Sequence, residues 1–253
     1  VSKKPISYAL SILDKLDTLV GFYLINEKPT SSKDPFALRR AAIGLLRTII
    51  ENNIVIKISD LIDYFIRTYI DQGVKELNKE VKNDLIIFFR ERMKNILKDK
   101  KIRTDIVEAS ICSHLNDNFL ELYKKTLIMN KFISKDLGKN AVSTYKRASN
   151  ILEQESSVSK NGPDAVLFKY EEEKELFERI NTIRKAFTLK DEKKDYENHL
   201  RLLSDTKLST DKFFDNVKVN DENKDLKNNR LELLQILCTT FNSFVDFSKL
   251  EGT

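Results

Sequence analysis

Asp14 and Asp17 lie three residues apart in the run Asp14-Lys15-Leu16-Asp17-Thr18-Leu19. That spacing puts two carboxylates on one face of a helix, where they could share a divalent cation or divide the roles of acid and base. Either chemistry needs partners. The two histidines, His114 and His199, are far from Asp14 in sequence and neither is followed by aspartate, and no HExxH or CxxC spacing occurs, so no metal site is indicated. The six glycines, at 21, 44, 73, 138, 162 and 252, form neither GxGxxG nor GxxxxGK[ST], so no phosphate cradle is present. No GxSxG or nucleophilic cysteine arrangement is visible either. The expectation is a chain with no catalytic residues and no metal ligands of its own.

Binding chemistry is better represented. Tyr145-Lys146-Arg147-Ala148-Ser149-Asn150 groups an aromatic ring, two cations and an amide. Single-stranded RNA is held by cations on phosphates and by stacking and amide contacts on splayed bases, so Lys146, Arg147 and Asn150 are candidate RNA contacts. The same residues would also suit a solvated helix face, with Asn150 bracing a neighbouring loop. Arg230, beside Asn229 on a polar face of the closing helix, is a phosphate contact or a salt-bridge partner of Asp215, with the salt bridge favoured. Phe213 and Phe214, being adjacent, point to different sides, so at least one is core. The cluster Lys94, Lys98, Lys100, Lys101 and Arg103 could track a nucleic-acid backbone or solvate a connector. His114 reads as a half-buried packing residue and His199 as a surface histidine.

Helices must position these groups. Ile6 to Ile25 carries Leu10, Leu13, Leu16, Leu19 or Val20, and Tyr23 at helical period. In Ser32-Lys33-Asp34-Pro35, Asp34 can cap and Pro35 can open a second helix, whose face Leu38, Ala42, Leu45, Leu46 and Ile49 leaves Arg39, Arg40 and Arg47 on a basic side. A third helix starts at Ser59 or Asp60 and ends near Gly73, and a fourth spans Val81 to Leu97. Shorter pieces follow from Ile106 to Ile133, broken near Asn116 to Asn118, and Gly138 marks a boundary. Ala141 to Glu155 is amphipathic, Ser156 to Asp164 reads as loop, and Glu171 to Phe187 with Tyr196 to Leu203 forms a helical pair. The closing helix runs from about Lys224 to Phe247, and Val217 and Val219 sit in an extended loop.

Composition agrees with long helices. The 253 residues are 41% hydrophobic and 33% charged, with six glycines, four prolines and no tryptophan, which points to an all-α class with a sizeable core. A net charge of +5 permits an anionic partner without demanding one. Cys112 and Cys238 are isolated thiols suited to a reducing cytoplasm, and no apolar run approaches the length of a membrane span.

The stretch from Ala9 to Asn53 also resembles the beta subunit of bacterial glycyl-tRNA synthetase, through its Asp-Lys-Leu-Asp-Thr-Leu-Val-Gly run and its Ser-Lys-Asp-Pro-Phe-Ala-Leu-Arg-Arg-Ala-Ala run. Leu13, Asn26 and Ser31 depart from the family's usual Ala, Gly and Gly, and Asn26 can still turn because asparagine tolerates positive φ. Lys146-Arg147-Ala148-Ser149-Asn150-Ile151-Leu152, Phe213-Phe214-Asp215-Asn216-Val217-Lys218-Val219-Asn220 and the words around Asn229 and Val245 resemble the DALR-type anticodon-binding domain with which that subunit ends.

The resemblance implies an all-α chain with the end of an HD-like helical domain at 1–56, a helical connecting region at 57–140 and a DALR-type bundle at 141–253. The opening Val1 could reflect processing, but the resemblance implies a carboxy-terminal portion of a larger subunit. The function implied is the tRNA-recognition part of a glycine-tRNA ligase, with Lys146, Arg147, Asn150, Arg230, Arg39 and Arg40 as RNA contacts and a structural or tRNA-positioning role for Asp14 and Asp17. The implied partners are glycine tRNA and the synthetase alpha subunit, the latter through the full-length beta subunit. No cofactor is expected in this piece, while ATP with magnesium is expected for the holoenzyme, in the cytoplasm. The alternatives are a helical protein-binding scaffold without an RNA role, or a decayed or partial HD phosphohydrolase, against which the missing histidines count.

Overall fold

The computed structural model describes residues 1–30, 32–75, 78–112, 117–155, 161–188 and 195–251. Ser31, His114 and residues 156–160 of the expected loop lie outside that set. The described residues form eleven α-helices and two short 3-10 helices, with no strand among them. This is the all-α class expected from the sequence. None of these helices is long and apolar enough to cross a membrane. The chain divides into two compact units, Val1–Val107 with His114–Lys125, and Glu108–Ser113 with Thr126–Thr253.

The first unit is built on α1 (Pro5–Leu24), α2 (Leu38–Glu51), α3 (Ile58–Asp71) and α4 (Val81–Asp99). Pro5 opens α1 at no cost in hydrogen bonds. Lys3 donates to the carbonyl of Glu51, so the start of α1 meets the end of α2 and the two run antiparallel. Leu16, Leu19, Val20 and Leu24 of α1, Leu45 and Leu46 of α2, Ile62 of α3, and Leu85, Phe89 and Met93 of α4 are fully buried. The buried stripe of α1 runs through Ile12, Leu16, Leu19 and Tyr23 and leaves out the expected Leu10 and Leu13, which are 62% and 40% exposed.

Helix α2 begins three residues later than Asp34-Pro35 suggests. Residues 35 and 36 form a turn, Ala37 adopts φ 56°, and Asp34 caps from there, its Oδ1 accepting from the Leu38 amide (2.8 Å) and its Oδ2 from the Arg39 amide (3.1 Å). The cause is Phe36, whose ring stacks on Phe22 of α1 with centroids 4.0 Å apart and so draws the Pro-Phe pair out of the helix. Asn26 takes φ 62°, as its composition allows. Helix α3 starts at Ile58 and is capped from afar, because Asp117 Oδ2 accepts from the Ser59 amide at 2.6 Å. Gly73, at φ 85°, follows its end.

Helices α5 (Thr104–Cys112) and α6 (Phe119–Ile133) each divide between the units. The second unit contains α7 (Asp136–Glu153), α8 (Glu171–Thr188), α9 (Tyr196–Ser204), α10 (Thr206–Asn216) and α11 (Lys224–Asn242). Helices α7 and α8 each pack against α9, α10 and α11. Leu176, Ile180, Ile183, Leu200, Leu203, Phe213, Leu233, Leu234, Leu237 and Phe241 have no exposed surface.

Three further features differ from the sequence reading. Gly138 lies inside the first turn of α7 instead of marking its boundary, and a Cβ there would come within 2.3 Å of the Phe132 carbonyl oxygen. Close backbone approach, not a turn, requires this glycine. Helix α10 has no apolar period to announce it, since it buries Thr206, Ser209 and Thr210 beside the single ring of Phe213. Helix α11 stops at Asn242 instead of Phe247. Asn242 Oδ1 accepts from the Phe247 amide (2.9 Å), and the chain turns back so that Phe247 packs on Tyr145 and Phe241.

Candidate nucleic-acid interface

Asp14 and Asp17 are both exposed on α1, and the backbone carbonyl of each accepts a hydrogen bond from a side-chain hydroxyl. Thr18 Oγ1 donates to the Asp14 carbonyl (3.0 Å) and the Tyr69 hydroxyl donates to that of Asp17 (3.3 Å). Burial and the neighbouring Asp17 push the Tyr69 hydroxyl up to about 12, so it keeps its proton at neutral pH. Among the described residues no three His, Cys, Asp or Glu side chains gather into a set that could hold a metal ion. On α2, Arg39 donates to the carbonyl of Thr30 and is half-buried, while Arg40 is exposed. Lys98, Lys100 and Lys101 are exposed at the end of α4, and Arg103 makes a two-point contact with Asp105 (3.1 and 2.6 Å).

In the second unit α7 presents Lys146, Arg147 and Asn150 together, and α10 supplies the surface beside them. Arg147 is exposed and lies 4.3 Å from the centroid of the Phe214 ring. It also faces Asp211 (3.4 Å) and Asp215 (4.0 Å). Asp215 is thus a neighbour of Arg147, not of Arg230. Lys146 is half-buried and Asn150 exposed. Of the adjacent phenylalanines, Phe213 is core and Phe214 half-buried under Arg147. Tyr145 is not available for stacking on a base. It is 5% exposed, its ring packs on Phe241 and Phe247, and its hydroxyl accepts from Asn242 (3.2 Å). His199 of α9 packs on the ring of Phe187, 4.4 Å away.

Arg230 overturns its expected role as an RNA contact for a physical reason: its side chain is 1% exposed. Its Nε donates to Glu173 Oε1 (2.8 Å), and Nη1 donates to Asp221 Oδ2 (2.7 Å) and to the Lys218 carbonyl (2.9 Å). Burial alone would lower the pKa of this guanidinium, yet the bonds to Glu173 and Asp221 outweigh that and raise it. Glu173 is equally buried, and its second oxygen accepts from the amides of Lys169 (2.7 Å) and Tyr170 (2.9 Å), closing the first turn of α8. Next to Arg230, Asn229 brackets the backbone of Asp164, accepting from its amide (2.6 Å) and donating to its carbonyl (3.0 Å).

These two consecutive residues of α11 fix two surface segments, 164–170 and 218–221. Sequence reasoning missed Glu173 and Asp164 as their partners. The available signal was Glu173 itself, the third acid of Glu171-Glu172-Glu173 at a helix start, where a carboxylate can reach back to open amides.

Set beside known proteins, residues 1–112 match a family model described as glycyl-tRNA synthetase beta subunit, and residues 141–247 one described as DALR anticodon binding domain. A glycine-tRNA ligase beta subunit of Rickettsia africae (strain ESF-5) is 39% identical over 241 residues, covering 95% of this chain and 34% of that protein. The corresponding subunit of Rhodospirillum centenum is 36% identical over 257 residues, covering 100% and 35%. That of Dinoroseobacter shibae is 31% identical over 280 residues, covering 100% and 39%. The chain thus spans between 34 and 39% of the length of these relatives.

Proposed function

Because this chain belongs to the glycyl-tRNA synthetase beta subunit family and carries a DALR anticodon-binding domain, we propose that it is the tRNA-recognition part of a glycine-tRNA ligase and acts by positioning glycine tRNA. The observation that carries the reading is the coincidence of the DALR match, residues 141–247, with the bundle α7 to α11. An orienting domain accelerates a reaction elsewhere by holding the substrate in place, since a correctly placed reactant has already lost the freedom that a free one must surrender. Glycine activation with ATP and magnesium belongs, on this reading, to a cytoplasmic holoenzyme that includes the alpha subunit and the rest of the beta subunit.

Lys146, Arg147 and Asn150 of α7 are the proposed contacts to the anticodon arm, with Arg39 and Arg40 of the first unit as further phosphate contacts. Arg230 acts beneath the surface as a positioning residue. One observation favours the runner-up, a protein-binding scaffold: Arg147 already faces two carboxylates. Titration of the chain against fluorescent glycine tRNA and against the same tRNA with its anticodon exchanged decides between them. Anticodon recognition predicts weaker binding of the exchanged tRNA by roughly tenfold, the value of one well-made base contact. Equal binding of the two, or none, would reject it.

A further inference from the structure

Asp211, Phe214 and Asp215 stand three and four residues apart on α10 and so share one face of that helix. All three meet Arg147 of α7. The Phe214 ring lies under the guanidinium, its centroid 4.3 Å away, and one carboxylate stands by each terminal nitrogen: Asp211 Oδ1 is 3.4 Å from Nη1 and Asp215 Oδ1 is 4.0 Å from Nη2.

These contacts are loose. Charge-assisted N–H···O bonds close to about 2.7–2.9 Å, and the chain makes such bonds elsewhere, with Arg103 at 2.6 Å from Asp105 and Arg230 at 2.7 Å from Asp221. A guanidinium has five N–H donors, and Arg147 makes one long hydrogen bond among the described residues, to Asp211. Its side chain is 47% exposed, so both ion pairs are screened by water and exchange readily.

We propose that Asp211 and Asp215 are a built-in competitor for the RNA phosphate that Arg147 binds: they hold the guanidinium while RNA is absent and give it up when a phosphate arrives. The assignment rests on the tRNA-binding reading above and adds to it a restraint on that contact.

A carboxylate offers the fork of a guanidinium the same pair of acceptor oxygens that a phosphate does, so each can stand in for the other. Two features let the exchange proceed without stranding a charge. Asp211 accepts from Lys207 through its second oxygen (2.8 Å), so it keeps a cation after Arg147 turns away. The face of the Phe214 ring attracts the guanidinium whichever oxygens its donors meet, so Arg147 can change partners without leaving α10.

The restraint acts on affinity. A site whose cation is already occupied binds as if only its unoccupied fraction were present. Both carboxylates also stay close to the incoming phosphate, and repulsion from two unit charges about 6 Å away, screened by about 50 mM salt, weakens binding about fivefold.

The test is a cycle of substitutions in the 253-residue chain, read as the Kd for fluorescent glycine tRNA at about 50 mM salt, with thermal melts to show that each variant is folded. Arg147→Gln alone should weaken binding severalfold. Joint Asp211→Asn and Asp215→Asn should tighten it about fivefold, a gain that shrinks as salt rises. Asp215→Asn by itself, on a side chain 71% exposed, should give about twofold and carries the test if the pair shifts the melt. In the Arg147→Gln background the same substitutions should change affinity by less than about twofold, because no phosphate is then drawn to that position. An equal gain in both backgrounds would mean that the carboxylates repel RNA by charge alone. No gain with Arg147 present, or full affinity in Arg147→Gln, would mean that they restrain nothing. Each of these results overturns the inference and leaves the tRNA-binding reading standing, whereas a wild-type chain that does not bind glycine tRNA at any salt removes both.

Discussion

Arg230 is the residue on which the second unit turns, and its replacement separates burial from charge. With 1% exposure on both sides of the Arg230–Glu173 pair, removing the cation strands a carboxylate in the interior. Arg230→Met should destabilise the chain by about 3–5 kcal/mol, the usual cost of breaking one side of a buried ion pair, measured by urea unfolding. Adding Glu173→Gln to that variant should recover part of the loss; a further loss of the same size would mean the two groups act independently. Asp221 gives the pH dependence. The Asn223 amide and Arg230 hold its carboxyl below the usual carboxylate range. A group with a depressed native pKa contributes stability that is complete above the unfolded value of about 4 and is lost as pH falls through the native one. Asp221→Asn should therefore flatten the acid limb of the stability curve below about pH 4 and leave its neutral part parallel. Burial pushes the Cys238 thiol up to about 12, while Cys112 is exposed, so a thiol reagent at pH 8 should label one site in the folded chain and a second only after unfolding.

Elements were legible in the sequence where a face is apolar and a cap is local. Helices α1, α4 and α8 follow from their periods, and Asp34 was identifiable as a cap. What misplaced the start of α2 was a contact between distant parts of the chain, Phe36 on Phe22, which no local rule contains. Helix α10 was invisible because it packs through Thr206, Ser209 and Thr210, small polar residues of which Thr206 donates its hydroxyl to the Leu203 carbonyl (2.6 Å) and Ser209 to the Thr206 carbonyl (3.0 Å). In the site, Lys146 and Arg147 could be placed on one helix from their spacing, but the burial of Arg230 and Tyr145 depends on which helix lies over them. Glycines make the same distinction testable. Gly138→Ala should cost about 3 kcal/mol, because the added carbon meets backbone that cannot turn away. Gly73→Ala meets open space and should cost only the left-handed strain of φ 85°, about 1–2 kcal/mol. Equal losses in thermal melts would remove close packing as the reason for Gly138.

At the scale of the whole molecule, two helical units present cations on α2, at the end of α4 and on α7 and α8, while the interior charges are spent on fixing surface segments. We propose that the chain grips a tRNA by its anticodon arm and leaves bond making to other parts of a glycine-tRNA ligase. Hydroxyl-radical footprinting of glycine tRNA with the 253-residue chain in excess tests this, because at saturation it reports where on the tRNA contact occurs. The account predicts protection concentrated in the anticodon loop and the stem beside it, fading as salt is raised. Protection confined to the acceptor end, or an unprotected anticodon loop at low salt with the chain in excess, would contradict it.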